Sequence, residues 1–374
     1  MKKVLYIGRF GFPDTASGMR VFRMGKLMRK KGYDVEFLRY HAPADDPMYR
    51  QIEDFSYTQL HISDKTFADL WDLYTGINTC RKVMKYIAAH RPDIIILYND
   101  LGYVTRRLIP YCRKNGIQLG ADATEWYERR SWFGLEAHIA RIVDCRIRKQ
   151  DTKLNFIISI SPYLTEYYRK QGCRVFQVAP LMDEIQSHIW PRYRYGDGSS
   201  LNIGYAGCPG AKDRLGELIS AVAKLNASGI RVHLDLIGVD RAYVQKFLEP
   251  LGLQGNGIAA HGVLSHDQTI EILKKADFTT LFRENLRYAK AGFSTKFAES
   301  LSLGVPVICN AVGGADQLLV GSSAGILLPD GSCETILHTF QSILEYDDDF
   351  YKRSFCTAEE LARKSFSYEA YLSL

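Results

Sequence analysis

Residues 292–304 of the sequence have the residue types and the spacing that suit binding of a diphosphate. Ser294 or Thr295 can cap a helix there, just after a glycine that loosens the backbone. The first turn of such a helix presents N–H groups without intrahelical partners at the positive end of the helix dipole, and Lys296 adds a positive charge. Glu299 lies one turn beyond Thr295 on the same face, where its carboxylate can accept two hydrogen bonds from a ribose diol. A nucleoside diphosphate fits this pattern, and an ordinary capped surface helix is the open alternative.

The run from Lys296 to Ile308, K-F-x-E-S-L-x-x-G-x-P-V-I, resembles the donor-binding helix of glycosyltransferase family 4, the group 1 transferases with the GT-B fold. The resemblance implies that Glu299 binds the ribose of a nucleotide sugar. It also implies that Ser294 and Thr295 at the start of the helix cradle the diphosphate.

A second stretch, residues 204–213, looks like the strand and loop that open the second domain in that family. Lys212 falls on the family's phosphate-binding lysine, whereas Cys208 stands where an arginine is usual. A solvated loop lysine is the alternative for Lys212. A further departure is Ala291, which stands where many members have a glutamate that touches the donor sugar.

The strand that precedes Ala291 ends in Arg283 and Glu284. They lie at the carboxyl edge of the expected parallel sheet, which is where ligands bind in such folds. We expect Arg283 or Glu284 to take over part of the sugar contact. A surface ion pair between the two is the alternative.

In the first half of the chain, the loop of residues 8–20 follows a buried strand and precedes an amphipathic helix. It lacks the G-x-G-x-x-G pattern, and a single glycine-rich turn is a weak signal. The resemblance implies that this loop, with Gly18, closes over the donor phosphate, and Arg20 can then help to hold a leaving phosphate. Alternatively, the glycines only permit a tight turn.

Asp122 and Glu125 come where a strand of the first half ends. A carboxylate there can orient or deprotonate an acceptor hydroxyl if burial or a neighbouring carboxylate raises its pKa. Trp126 and Tyr127 can stack on a sugar or simply fill the core.

The elements that must position these residues follow from the alternation of short apolar runs with longer amphipathic stretches, which is typical of βα units. We therefore expect an α/β protein with two Rossmann-like, doubly wound domains facing a cleft. The predicted organisation is an acceptor-binding domain over residues 1–185, a linker over 186–200, a nucleotide-sugar-binding domain over 201–355, and a C-terminal helix over 356–374 that crosses back to the first domain. The predicted strands are residues 3–7, 34–38, 93–97, 117–120, 156–160, 175–178, 202–205, 232–237, 278–282, 305–309 and 325–328.

The composition of the chain limits the kinds of ligand, metal site and membrane contact that can be expected. A net charge of +6 over 374 residues favours anionic ligands and is too small to indicate nucleic acid. The eight cysteines form no C-x-x-C pair, which disfavours a zinc site or a disulfide scaffold and suits the cytoplasm. No segment approaches the roughly 20 apolar residues that span a bilayer. Residues 132–153 can form a basic amphipathic helix on the inner face of a membrane, or a core-facing helix with a solvated outer face.

The sequence thus predicts a glycosyltransferase that moves a hexose from a UDP- or GDP-linked donor to a glycan or lipid-linked acceptor. Retention of anomeric configuration is implied by the resemblance. Lys212 and Lys296 are the predicted stabilisers of the leaving diphosphate, and Asp122 and Glu125 the predicted acceptor residues. No cofactor or metal is expected, since the histidines are scattered and residues 347–349, an Asp triplet, lie in a polar stretch. The alternatives are a non-catalytic sugar-nucleotide-binding protein and a nicotinamide-dependent oxidoreductase.

Overall fold

The chain forms two compact units. One comprises Met1–Leu181 with Tyr371–Leu374, and the other comprises Met182–Ala370. The computed structural model describes residues 1–12, 15–42, 49–61, 76–100, 102–126, 135–186, 200–210 and 212–374.

The first unit is built on a sheet that has eight strands within the described residues, in the order β3-β4-β2-β1-β5-β6-β7-β8. All neighbours pair in parallel except β3 and β4, which are antiparallel. The strands are β1 (Lys3–Gly8), β2 (Asp34–Ala42), β3 (Tyr49–Ile52), β4 (Phe55–His61), β5 (Ile94–Tyr98), β6 (Gln118–Ala123), β7 (Phe156–Ser159) and β8 (Val175–Gln177). The helices are α1 (Ala16–Lys30), α2 (Ile77–His90), α3 (Tyr103–Asn115), α4 (Leu135–Asp151) and α5 (Pro162–Lys170).

The second unit has a parallel sheet with the order β11-β10-β9-β12-β13-β14 over the residues that the structure describes. This order reverses direction beside β9, as in a doubly wound nucleotide-binding fold. The strands are β9 (Ser200–Ala206), β10 (Arg231–Ile237), β11 (Ile258–Gly262), β12 (Phe278–Leu281), β13 (Val307–Asn310) and β14 (Gly325–Leu328). The helices are α6 (Leu215–Ala227), α7 (Arg241–Leu248), α8 (His266–Leu273), α9 (Arg287–Ala291), α10 (Thr295–Ser302), α11 (Ala315–Leu319), α12 (Cys333–Leu344) and α13 (Asp348–Phe366).

The last helix, α13, lies wholly in the second unit. The ring of its Phe366 packs against Phe293 and Phe297, with centroids 5.8 Å and 6.4 Å away, so that it supports the start of α10. Only Tyr371–Leu374 group with the first unit, where Lys31 Nζ donates to the carbonyl oxygen of Leu372 at 2.6 Å. The predicted segment 356–374 is therefore divided between the units.

The predicted α/β class with two doubly wound domains is confirmed. Each predicted strand overlaps an observed one, whereas β3, β4 and β11 were not predicted. None of the described helices combines the length and the apolar composition that crossing a bilayer requires.

Candidate functional site

Helix α10 begins beside a buried hydroxyl. Ser294 occupies the N-cap position with an extended backbone, and the helix ends before Gly304, whose φ of +68° suits a glycine. The predicted capping bond is not formed by Ser294, because its side chain accepts no hydrogen bond from the first turn. Its Oγ is buried and has no hydrogen-bond partner among the residues that the structure describes. Together with the unpaired amides of a helix start, this hydroxyl is suited to bind an external acceptor.

Lys296, in the first turn of α10, lies in a largely buried polar environment. Its Nζ donates to the Tyr205 hydroxyl at 2.7 Å and lies 4.2 Å from the centroid of the Tyr205 ring. The same nitrogen is 3.9 Å from Oδ2 of Asp213. The ammonium is therefore fixed by β9 and by the loop that follows it.

Gly207 makes room for this lysine. Its φ is +123°, a conformation that favours glycine, and a Cβ at this position would lie 2.6 Å from Lys296 Cε. The close approach of the loop backbone to the lysine stem therefore depends on the missing side chain.

Arg283 is the second buried cation of the site. Its Nε donates to Oδ1 of Asp213 at 3.0 Å, and its main chain is bound at both ends by the side chain of Asn310, with N–H···Oδ1 and Nδ2–H···O distances of 2.9 Å. Arg283 follows β12 and Asn310 ends the adjacent strand β13, so Asn310 fixes the backbone of Arg283 at the carboxyl edge of the sheet while Asp213 holds the guanidinium.

The charges of the site influence one another. Burial lowers the pKa of Lys296 to about 8, with Arg283 and Lys212 acting in the same direction and Asp213 opposing them. Burial tends to raise the pKa of Asp213, but Lys296, the Gly210 amide and Arg283 together hold it below its usual value. Two cations, Lys296 and Arg283, thus share one carboxylate, which leaves an excess of positive charge that an anion can neutralise.

The other predicted residues of the second unit lie on the same elements. The Glu284 amide donates to the Lys212 carbonyl oxygen at 2.9 Å, so these two residues are brought together by their backbones. Half-buried Glu299 lines a small cavity, about 20 Å³, together with Lys296 and Thr280. Thr295 is also half-buried.

The two positions that depart from the family pattern differ in exposure. Ala291 is fully buried at the end of α9, so a sugar contact from its side chain is unavailable. Cys208 is an exposed free thiol.

In the first unit, Arg20 and Asp122 bind each other. Nε and Nη2 of Arg20 each donate to one carboxylate oxygen of Asp122 at 3.1 Å, and Tyr6 Oη donates to the same carboxylate at 2.6 Å. Arg20 Nη1 donates to the carbonyl oxygen of Ala179 at 2.8 Å. Both side chains are buried, and this geometry favours a structural role over the predicted contacts with phosphate and acceptor.

Gly18 and Glu125 are placed differently. A Cβ on Gly18 would lie 2.1 Å from the carbonyl oxygen of Gly11, so this glycine allows α1 to approach the loop before it. Glu125 is exposed, and its carbonyl oxygen accepts from Arg148 at 2.6 Å. The carboxylate of Glu125 therefore remains open to solvent just beyond the end of β6.

Sequence reasoning missed Asp213, Tyr205 and Asn310. Tyr205 and Asn310 are polar residues at the ends of apolar strands, and Asp213 directly follows Lys212, so each has a local signal in the sequence. Tyr127, residues 132–134 and residues 187–199 of the predicted linker lie outside the described residues. Among the described residues no group of three or more metal-ligating side chains comes together, and the predicted independence of metal stays a prediction.

Residues 204–354 match the family model of the glycosyl transferases of group 1. None of the curated proteins compared with the sequence matches it.

Solved structures resemble the whole chain. A sucrose-phosphate synthase from Thermosynechococcus elongatus has a TM-score of 0.78 and 15% identity, and the alignment covers 100% of this chain and 97% of that one. HepE from Anabaena, solved in complex with UDP and glucose, has a TM-score of 0.68 and 15% identity, with 99% and 97% covered. WaaG, a glycosyltransferase involved in lipopolysaccharide biosynthesis, has a TM-score of 0.62 and 14% identity, with 97% and 99% covered.

Proposed function

We propose that this protein, which has the GT-B fold, is a group 1 glycosyltransferase that depends on a nucleotide sugar, binds the diphosphate of its donor at the start of α10 and transfers a hexose with retention of configuration. The proposed acceptor is a glycan or a lipid-linked saccharide, and no divalent ion takes part. Contact with a membrane, where the acceptor requires it, is peripheral.

The observation that carries the proposal is the Ser294 hydroxyl, which is buried at a helix N-terminus without a partner among the described residues. Native proteins rarely leave such a group unsatisfied unless a ligand or water completes its bonding. Lys296 and Arg283 lie on the adjoining elements with one carboxylate between them. A hydroxyl, helix amides and an excess of cations together suit a diphosphate.

Each residue of the site has a separate proposed role in binding the donor or in stabilising the leaving diphosphate. Lys296, Lys212 and the α10 amides stabilise the negative charge that grows on the diphosphate as the sugar bond breaks. Ser294 donates its hydroxyl proton to a phosphate oxygen. Glu299 accepts hydrogen bonds from the ribose, and Arg283 or Glu284 contacts the sugar in place of the glutamate that Ala291 replaces.

The donor base is proposed to be uracil, with guanine as the other candidate. HepE, which shares the fold at 15% identity, was solved with UDP and glucose. The acceptor proposal is supported by the lipopolysaccharide role stated for WaaG, which shares the same fold. Exposed Glu125 in the first unit is the proposed acceptor carboxylate.

The test is a thermal-shift screen with UDP, GDP, ADP, TDP and their sugars, because a ligand that binds only the native state raises the unfolding temperature. One nucleotide should give a clear shift that Lys296→Ala abolishes. Lys275→Ala is the matched control, since Lys275 is an exposed lysine of the same unit beside His233 and Asp235, and it should keep the shift. The proposal is wrong if no nucleotide stabilises the native protein, or if Lys296→Ala retains full binding and turnover.

A non-catalytic nucleotide-sugar-binding protein is the second candidate. It is favoured by buried Ala291, which supplies no carboxylate to the donor sugar. Product formation from the nucleotide sugar that binds best, followed by release of the nucleoside diphosphate, separates the two: the enzyme turns over, and the binding protein only shifts in stability.

A further inference from the structure

Asp213 is a carboxylate inside a site that otherwise attracts anions. Its side chain is only 5% exposed. Oδ1 accepts from Arg283 Nε at 3.0 Å, and Oδ2 accepts from the Gly210 amide at 2.8 Å and lies 3.9 Å from Lys296 Nζ. A buried carboxylate with three such contacts is fixed in position, and it joins the two cations that we assign to the donor.

The backbone on either side of Asp213 is bound to the end of β12. The Glu284 amide donates to the Lys212 carbonyl oxygen, and the Arg214 amide donates to that of Phe282, both at 2.9 Å. Asp213 and Arg283 form an antiparallel bridge between these two bonds. The Asp213 side chain is thus held by a short backbone ladder, and its contact with Lys296 does not depend on a freely moving loop.

We propose that Asp213 is a positioning residue for donor binding, whose carboxylate holds the Lys296 ammonium charged and directed to the start of α10. This inference rests on the function proposed above. It assigns to Asp213 an indirect role, because the carboxylate acts through Lys296 and does not touch the diphosphate.

The charge balance gives the reason. Burial is the main cause that lowers the pKa of Lys296 to about 8, and Arg283 and Lys212 lower it further, so that the ammonium is close to losing its proton under mildly alkaline conditions. The Asp213 carboxylate opposes this loss by its negative charge. Without it, the side chain becomes neutral at a lower pH and binds phosphate less well. The charged and titratable groups around Lys296 in the described residues are Tyr205, Cys208, Lys212, Asp213, Arg283 and Glu299, the last of which lines the same cavity.

The experiment measures UDP and GDP binding by titration calorimetry between pH 6 and pH 8.5 for the wild type and for Asp213→Asn. Asn keeps an oxygen to accept from the Gly210 amide, but it removes the charge. We expect the ratio of wild-type to variant affinity to rise from about one at pH 6 to about tenfold at pH 8.5, because the variant loses the Lys296 proton earlier.

Two further variants keep the test decisive. Asp213→Glu restores the charge and should return the pH midpoint toward the wild-type value even if the affinity falls. Asp235→Asn makes the same chemical change at a carboxylate that pairs with His261 elsewhere in the unit, and it should leave the affinity ratio at one across the pH range.

The outcomes separate this inference from the proposed function. If the wild type binds neither UDP nor GDP, nor the ADP and TDP of the thermal-shift screen, the proposed donor site fails and the role of Asp213 fails with it. If the wild type binds and the affinity ratio for Asp213→Asn stays constant with pH, the donor site stands and the role of Asp213 is rejected.

Discussion

The two units each have a buried carboxylate bound to arginine, and the two clusters differ in whether their charges are balanced. In the first unit, Asp122 lies near the end of β6 and accepts hydrogen bonds from Arg20 and Tyr6, while the remaining nitrogen of Arg20 donates to a carbonyl oxygen. In the second unit, Asp213 is shared by Arg283 and Lys296. The first cluster is complete within the protein, whereas the second carries extra positive charge.

This difference shows why residue type alone does not identify a ligand site. Arg20 and Asp122 have the chemistry of a phosphate-binding or acceptor-binding pair, and their positions in the early turns of α1 and near the end of β6 support such a prediction. Mutual pairing consumes their hydrogen bonds, which is typical of a structural ion pair. In the second unit, the excess positive charge and the buried Ser294 hydroxyl, which has no partner in the described residues, both indicate binding of an external anion.

The largest effect that tests this comparison is expected for Arg20→Ala. It leaves the buried Asp122 carboxylate without its cation, which should lower the free energy of unfolding by about 3–5 kcal/mol in urea denaturation. Lys296→Ala should cost less than about 1 kcal/mol, since Asp213 keeps Arg283.

This interpretation is wrong if Lys296→Ala lowers the free energy of unfolding more than Arg20→Ala does. An Arg20→Ala protein of wild-type stability that no longer transfers sugar would place Arg20 in the donor or acceptor machinery. Circular dichroism during denaturation and a turnover assay on the same preparations decide between these results.

A second buried cluster of the first unit should respond to pH. Burial raises the pKa of Asp151 to about 6, with Arg148 and a hydrogen bond from Tyr168 opposing the rise and Asp100 and Asp144 adding to it. The folded state then holds this proton more tightly than the unfolded state, so stability should fall as the pH rises from about 4 to about 6 and stay lower above that range.

Asp151→Asn removes the ionisable group, and with it this pH-dependent loss of stability, while keeping an oxygen that can accept from the Tyr168 hydroxyl. The variant should be more stable than the wild type by about 2–3 kcal/mol at pH 7 and should lose the slope between pH 4 and pH 6. Denaturation curves across this range provide the measurement. Parallel curves for the two proteins would show that Asp151 is ionised at its ordinary pKa.

The fold could be predicted well where strands are buried on both faces. Residues 4–7 of β1 and the whole of β5 are continuously apolar, and parallel strands of this kind can be predicted directly from the sequence. The missed strands alternate instead: β11 has half-buried and exposed residues in turn, and in β4 buried Phe55 and Tyr57 are each followed by a half-buried residue, Ser56 and Thr58. A period-2 pattern of this kind is typical of a half-buried strand.

The site could be predicted in part for a related reason. Helix α10 follows from local signals, namely small residues, a lysine and a terminal glycine within a few positions. The GT-B fold that the resemblance implies is confirmed for the whole chain, and residues 204–354 match the family model of the glycosyl transferases of group 1. Asp213 binds Arg283, which is 70 positions away in the sequence, and Arg20 binds Asp122, which is 102 positions away. Such pairings follow from tertiary structure, and no local pattern indicates them.

A smaller effect is expected for Glu299→Gln, which tests ribose binding separately from phosphate binding. Glu299→Gln keeps the shape of the side chain but removes the negative charge that would accept from the ribose. UDP affinity should fall about tenfold, in line with the ~1.5 kcal/mol of a hydrogen bond to a charged group, while inorganic pyrophosphate should bind unchanged. Equal losses for UDP and pyrophosphate in calorimetry would assign Glu299 to the phosphate region and remove its ribose contact.

The smallest effect bears most directly on the unsatisfied hydroxyl of the second unit. Ser294→Ala should leave the free energy of unfolding unchanged or slightly higher, because it removes a buried polar group without a partner, and should weaken UDP binding about fivefold through loss of one hydrogen bond. Ser302→Ala is the matched control, since the Ser302 hydroxyl at the other end of α10 is also buried and lacks a partner in the described chain. Both variants should behave alike in denaturation, but only Ser294→Ala should lose affinity. If both variants bind UDP as the wild type does, an orphaned hydroxyl at the helix start is no guide to the ligand, and excess charge alone distinguishes the two units.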